Sequence, residues 1–213
     1  MLQRELIEKD NFDSLIILDA LRFDIFQQLY QKYLPSGRLL KVKAGISWVN
    51  VFPIRFRNSV LFTANPHASL NRFDKKFDLW RTNWNTSLGT VPPWEVNREV
   101  LNYEGKERKF IVYLQPHGPW IGRVKLFRSS SENRGLGQDV SLREEFKKNP
   151  VELYTSNLRL VLKYLAALLE SLEGRIVVTT DHGECLGEEG KYLHTPMWDH
   201  PIIKNVPWLE VDL

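Results

Sequence analysis

The chain has 213 residues, of which 43% are hydrophobic and 26% charged, with a formal net charge of +3 and one cysteine. This is enough chain for one α/β domain with a sizeable core, and the charge is too small to argue for nucleic acid, although it suits an anionic substrate. A lone thiol, Cys185, excludes an intramolecular disulfide framework, and no stretch approaches the roughly 20 apolar residues of a membrane span.

Residues 1–9 read as a short amphipathic helix, with Leu2, Leu6 and Ile7 on one side. Their alternating charges lack the apolar run of a signal peptide, so the expectation is a cytoplasmic protein with no transmembrane segment. Leu15-Ile16-Ile17-Leu18 is too short for a helix, fits a buried strand and ends on Asp19. Residues 20–33 are predicted as a helix with Leu21, Ile25, Leu29 and Tyr33 as its stripe, stopped by Pro35, Ser36 and Gly37. Residues 39–42 predict a weaker strand. Residues 44–56 mix Gly45, Ser47, Trp48, Asn50 and Pro53, and predict a loop leading to a short helix. Val60-Leu61-Phe62-Thr63 is the next strand, closed by Ala64-Asn65-Pro66-His67, where Pro66 pushes Asn65 away from helical geometry.

Residues 67–108 show little periodicity. Trp80, Trp84 and Trp94 indicate packed irregular structure, with a helix over 94–103. Phe110-Ile111-Val112-Tyr113-Leu114 is a further strand that runs into Gln115-Pro116-His117-Gly118-Pro119-Trp120. Residues 121–150 are a polar excursion with serines at 129–131, of the kind that carries substrate contacts or a lid. Residues 153–172 are the strongest helix, with Leu158, Val161, Leu165, Leu168 and Leu172 on one face and Gly174 at its end. Ile176-Val177-Val178-Thr179 is the last clear strand and leads into Thr180-Asp181-His182-Gly183-Glu184. The tail carries Lys191, His194, Asp199, His200 and the segment Val206-Pro207-Trp208-Leu209-Glu210-Val211.

No repeat or linker divides the chain, so residues 1–213 are expected to form a single domain with irregular excursions at 67–108 and 121–150. Strands alternating with helices predict an α/β fold, a mainly parallel sheet with helices on both faces. In such a sheet the strand ends share one edge, where ligands bind. Asp19, Asn65, His117 and the Asp181-His182 pair all follow predicted strands. Two aspartates and a histidine make a nitrogen and oxygen donor set that suits Zn²⁺ or Mn²⁺, with Mg²⁺ or Ca²⁺ less suited. For Asp19 and Asp181 taken singly, the competing reading is a pair of strand-end caps on an unrelated binding domain.

Asp19-Ala20-Leu21-Arg22-Phe23-Asp24, Gln115-Pro116-His117-Gly118-Pro119-Trp120 and Thr180-Asp181-His182-Gly183-Glu184 with Gly187-Glu188 together resemble the alkaline phosphatase superfamily. More narrowly they resemble its sulfatase-like hydrolases common in archaea, as do Thr63-Ala64-Asn65-Pro66 and the closing 206–211 segment. The resemblance implies an alkaline phosphatase/sulfatase-like core and a divalent metal held by Asp19, Asp181 and His182. It implies that His117 sits by the substrate as an oxygen ligand or proton donor, and that His194 is a second-metal ligand or a substrate contact. The family's hydroxyl or modified-cysteine nucleophile falls in residues 43–50, where Ser47 is the one hydroxyl. The formylglycine signature of sulfatases is missing, which favours phosphate over sulfate.

The expected chemistry is metal-assisted attack of Ser47 on an anionic ester, with a covalent intermediate resolved by water or an acceptor alcohol. Arg22, Asn65, Lys191 and His194 are the expected substrate contacts, and His117 is expected to protonate the leaving oxygen. The alternative is a sulfatase-like fold that binds a metal or an anion without turnover.

Overall fold

A computed structural model describes residues 1–9, 12–45, 47–129, 140–194 and 199–213. Its centre is a seven-stranded sheet of β1 (Ser14–Leu18), β2 (Arg38–Lys43), β3 (Ser59–Thr63), β4 (Lys75–Asp78), β5 (Arg108–Tyr113), β6 (Arg175–Thr179) and β9 (Asn205–Asp212) in the order β2-β9-β6-β1-β5-β3-β4. The five strands from β6 to β4 run parallel. Strand β9 is antiparallel to both neighbours, β2 and β6, so β2 again points the same way as β6. The expected mainly parallel sheet is therefore present, with helices on both faces.

The central strands are buried on both sides and split their residues with period two. Ile16 and Leu18, Ile111 and Tyr113, and Ile176 and Val178 face one core. Leu15, Ile17, Phe110, Val112 and Val177 face the other. The first core is covered by α2 (Phe23–Leu29), α5 (Pro93–Leu101) and the twenty-residue α7 (Pro150–Leu169), which buries Leu158, Val161, Leu162 and Leu165. The second is covered by α1 (Gln3–Lys9) and α3 (Trp48–Val51), and it centres on an aromatic group of Phe12, Phe52, Phe56, Phe73 and Phe110. Short helices α4 (Leu79–Thr82), α6 (Val140–Phe146) and α8 (Pro201–Lys204), with a hairpin of β7 (Cys185–Leu186) and β8 (Tyr192–Leu193), complete the described elements.

Four sequence expectations change. The helix over 20–33 begins only at Phe23 and passes into a 3₁₀ turn at Tyr30–Lys32. Ala20 adopts a left-handed φ of 61°, and Arg22 is extended, because this turn belongs to the site rather than to the helix. The region 67–108 is not irregular throughout, since β4 and α4 lie in it before the expected helix. The expected irregular excursion at 121–150 likewise holds a helix, α6. The closing segment, for which the sequence predicted no element, is a strand inside the sheet. Pro207 is tolerated there because it lies past the last β6–β9 pair, Val178–Leu209, where its missing N–H costs no rung. Of the expected excursion at 121–150, residues 130–139 lie outside the described residues. Among the described residues, no helix is long and apolar enough to cross a membrane.

Candidate active site

Strands β6, β1 and β5 are adjacent and parallel, so the turns after Thr179, Leu18 and Tyr113 open side by side. They are tied by their own backbones. The His117 N–H donates to the Asp19 carbonyl at 3.1 Å, and the Asp19 N–H donates to the Tyr113 carbonyl at 3.2 Å. The left-handed turn at Ala20 aims its N–H at Asp181 Oδ1, 3.2 Å away, a conformation that a non-glycine residue adopts only when its surroundings hold it. Thr180 Oγ1 accepts from the Leu21 N–H at 2.9 Å, and Gln3 of α1 donates its buried amide to the Thr180 carbonyl. Gly183 leaves no room for a side chain: a Cβ there would stand 2.0 Å from the Ile202 carbonyl oxygen, while its N–H donates to Ile203 of α8.

Asp19, Asp181 and His182 are all buried, and one donor atom from each lies within 4.8 Å of the others. His182 Nδ1 faces the Gly183 carbonyl at 2.9 Å. A carbonyl only accepts, so this nitrogen carries the proton, and Nε2, 3.3 Å from Asp181 Oδ2, keeps its lone pair. Burial pushes the His182 pKa down and keeps the ring neutral. Burial and the Asp181 charge push the Asp19 carboxyl well above the usual range. Asn65 donates its amide to Asp19 Oδ2 at 2.5 Å and fixes that carboxylate in the cluster. Two facing carboxylates, one strained upward by the other, with a neutral imidazole whose lone pair is free, are a donor set that a divalent cation relieves.

A second group adjoins the first. His117, Glu184 and His194 also place one donor atom each within 4.8 Å of one another. The His194 ring centroid is 3.9 Å from that of His182 and 5.4 Å from that of His117. His194 Nδ1 donates to Glu184 Oε1 at 2.9 Å. Burial opposes the charge on His194, yet the Glu184 carboxylate outweighs it and raises the pKa to about 9. Burial likewise works against ionised Glu184, but the surrounding histidines hold its pKa below the ordinary value. At His117 burial outweighs the pull of the same carboxylate. The His117 Nδ1 faces the Gly118 carbonyl at 2.6 Å, and burial lowers its pKa.

The remaining expected residues divide. Asn65 enters the site, as a support for Asp19. Arg22 is buried and spends its guanidinium on Asp24, on Glu188 and on the Glu184 carbonyl. It therefore staples the 184–188 loop to the start of α2. Lys191 pairs with exposed Glu189 at 2.6 Å. Ser47 is exposed at the N-terminus of α3, and its Oγ accepts from Asn50 Nδ2 at 2.8 Å. No hydrogen bond among the described residues joins it to either cluster. Sequence reasoning gave no role to Glu184 or Thr180, although both lie in the Thr180-to-Glu184 motif. Their roles depend on partners ten and about 160 residues away, His194 and the Ala20–Leu21 turn.

No protein-family model matches the sequence, and no curated protein matches it. Among solved structures, the chain is similar to the integral membrane lipooligosaccharide phosphoethanolamine transferase A of Neisseria meningitidis, with a TM-score of 0.62 and 14% identity over 92% of this chain and 46% of that one. A putative sulfatase from Bacteroides thetaiotaomicron aligns with a TM-score of 0.63 and 14% identity over 96% and 65% of the two chains. The C-terminal periplasmic domain of EptC from Escherichia coli, in complex with Zn, aligns with a TM-score of 0.59 and 14% identity over 92% and 71%. The chain thus has the alkaline phosphatase/sulfatase-like fold, and it spans about half the length of the Neisseria transferase. The archaeal subgroup and a cytoplasmic location find no support in these similarities.

Proposed function

We propose that this chain is a metal-dependent hydrolase or transferase of phosphate esters, with sulfate esters a weaker fit. The observation that carries this reading is the buried Asp19–Asp181–His182 cluster at the ends of two adjacent parallel strands. These three residues would hold one divalent ion, with Zn²⁺ or Mn²⁺ favoured by the mixed nitrogen and oxygen donors. The zinc complex of one similar structure and the transferase name of another support the same reading. When bound, the ion supplies Lewis-acid polarisation of the ester and makes a nearby hydroxyl easier to ionise.

The chain's own residues supply the rest. Ser47 is the candidate nucleophile. Its oxygen bonds to phosphorus as the ester oxygen departs, and water or an acceptor alcohol then cleaves the serine ester. His194, in place of His117, is the proton donor in this reading. The Glu184 carboxylate, hydrogen-bonded to His194, favours a ring protonated on both nitrogens there, whereas at His117 burial outweighs the same carboxylate and the hydrogen-bond partner is the Gly118 carbonyl. His117, with Nδ1 turned to the Gly118 carbonyl, would take the proton of the attacking hydroxyl on Nε2 once the Ser47 turn approaches the site. A second reading, favoured by the closeness of the His117, Glu184 and His194 donors, gives that trio a second ion.

The test is turnover of p-nitrophenyl phosphate, a bis-ester and p-nitrophenyl sulfate with the metal-stripped protein, before and after addition of Zn²⁺ or Mn²⁺, alongside metal content per chain. Restored phosphate-ester turnover with one ion per chain is the expected result, and two ions would select the second reading. Ion binding without turnover on any ester would leave a binding protein, and no bound ion would refute the metal centre.

A further inference from the structure

The loops that carry Asp19 and His117 are held from behind by the same helix. On α7, Tyr154 and Asn157 are both fully buried and lie three residues apart, hence on one face. Tyr154 reaches the Asp19 turn. Its hydroxyl donates to the Ala20 carbonyl at 2.8 Å and accepts from the Arg22 N–H at 2.8 Å, bracketing the left-handed turn from both sides. Asn157 reaches the His117 loop. Its amide nitrogen stands 3.1 Å from the Pro116 carbonyl, 3.0 Å from that of His117 and 3.2 Å from that of Pro119, and its Oδ1 accepts from the Ile121 N–H at 3.0 Å. Two amide hydrogens thus serve three carbonyls that converge on one point, while the same side chain's oxygen accepts from the Ile121 N–H. Next to it, Ser156 Oγ accepts from the Val124 N–H at 2.8 Å and extends the same grip along the loop.

We propose that α7 is a positioning element with two prongs, Tyr154 for the turn that presents Asp19 and Asn157 for the loop that presents His117. Neither side chain touches a cluster donor. Each satisfies backbone groups that would otherwise be buried without partners, and each thereby fixes where one site residue emerges from the sheet. Because both prongs stand on one rigid helix, they also set the separation of the two donor groups. The inference rests on the proposed function for its catalytic consequence, and on hydrogen bonding alone for its structural one.

The experiment compares Tyr154→Phe, Asn157→Ala and Asn157→Asp with Val161→Ala, a core change on the same helix that serves as a stability control. Amide exchange is read first, without metal. Tyr154→Phe should lose protection at Arg22, and Asn157→Ala at Ile121, with the other loop unchanged in each case. Asn157→Asp, which keeps the acceptor for Ile121, should retain protection there. Zn²⁺ affinity and steady-state rates follow. Tyr154→Phe should weaken the ion about tenfold, with kcat restored by excess Zn²⁺. Asn157→Ala should keep the ion affinity and lose about tenfold in kcat, with no rescue by metal. Val161→Ala should lower Tm and change neither. Equal effects of both variants on both loops, or a lowered Tm with no local exchange and no split between affinity and kcat, would overturn the two prongs. Local exchange as expected in a protein whose wild type binds no ion would uphold the prongs and remove the metal centre instead.

Discussion

The turn after β1 and the turn after β2 open at the same edge of the sheet, yet they are built differently. Asp19 is buried, its backbone is bonded to the end of β5 and the His117 loop, the next two residues are bonded to Asp181 and Thr180 after β6, and its carboxylate is fixed by Asn65. Ser47 is exposed, and its hydroxyl is held by Asn50 from within its own turn. The reason is position in the sheet. β1 stands between β6 and β5, so its turn has neighbours on both sides, whereas β2 is an edge strand separated from β6 by β9. At about 4.8 Å per strand, the end of β2 is roughly 10 Å from the end of β6. The Asp19–Asp181–His182 donor cluster is thus a product of the parallel core, while the proposed nucleophile, Ser47, is carried on a rim that must approach it.

The strongest way to break the contrast is to remove a donor from the core side. Asp181→Asn should abolish ion binding and lower kcat/KM by more than the roughly 10- to 100-fold typical of changes at groups that support a ligand. Metal analysis and turnover should fall together, and retained ion content would move the centre elsewhere. On the rim, Ser47→Ala should lower phosphate-ester turnover by about 10³-fold or more while ion content and Tm stay at wild-type values. An unchanged rate would assign the attack to water or to another hydroxyl, and full loss of the ion would contradict the separation of rim and core.

The smallest effect concerns the Glu184–His194 pair. The His194 pKa in the folded protein is about 9, above the ordinary value of 6.5. A raised folded pKa means that stability is fully present below the unfolded pKa and is lost as pH rises through the folded one. The metal-free protein should therefore lose Tm between about pH 6.5 and 9 from this group, and Glu184→Gln should flatten that part of the curve. A Glu184→Gln curve parallel to wild type would show that the pairing does not govern the titration.

Much of the fold is legible in the chain. The central strands announce themselves as unbroken apolar runs because they are buried on both faces, and each ends on the polar residue that the site uses. The 150–169 helix shows its stripe at helical spacing. The elements that were missed have weak local signatures. β4 reads Lys-Lys-Phe-Asp because it is an edge strand with a partner on one side only. β9 contains Pro207 and shows no period-two alternation, since four successive residues, Val206 to Leu209, are buried. The helix start at Phe23 was misplaced because residues 20–22 obey Thr180, Asp181 and Tyr154, not their own propensity.

The chemistry at the strand ends was thus written in residue types: Asp19, His117, Asp181 and His182 stand where a parallel sheet gathers its ligands, and the alternation of strands and helices requires such a sheet. Which partners those residues meet was decided only by the tertiary structure. Arg22 became a staple because two carboxylates face it, Asn65 became a support because its amide reaches Asp19, and Glu184 became the partner of His194 across a hairpin. Arg22 with Glu188 and Asn65 with Asp19 are pairings between segments distant in the chain, and Glu184 meets His194 only through the intervening hairpin. No local propensity encodes them, because their energy exists only when packing has brought the groups together and removed the water between them.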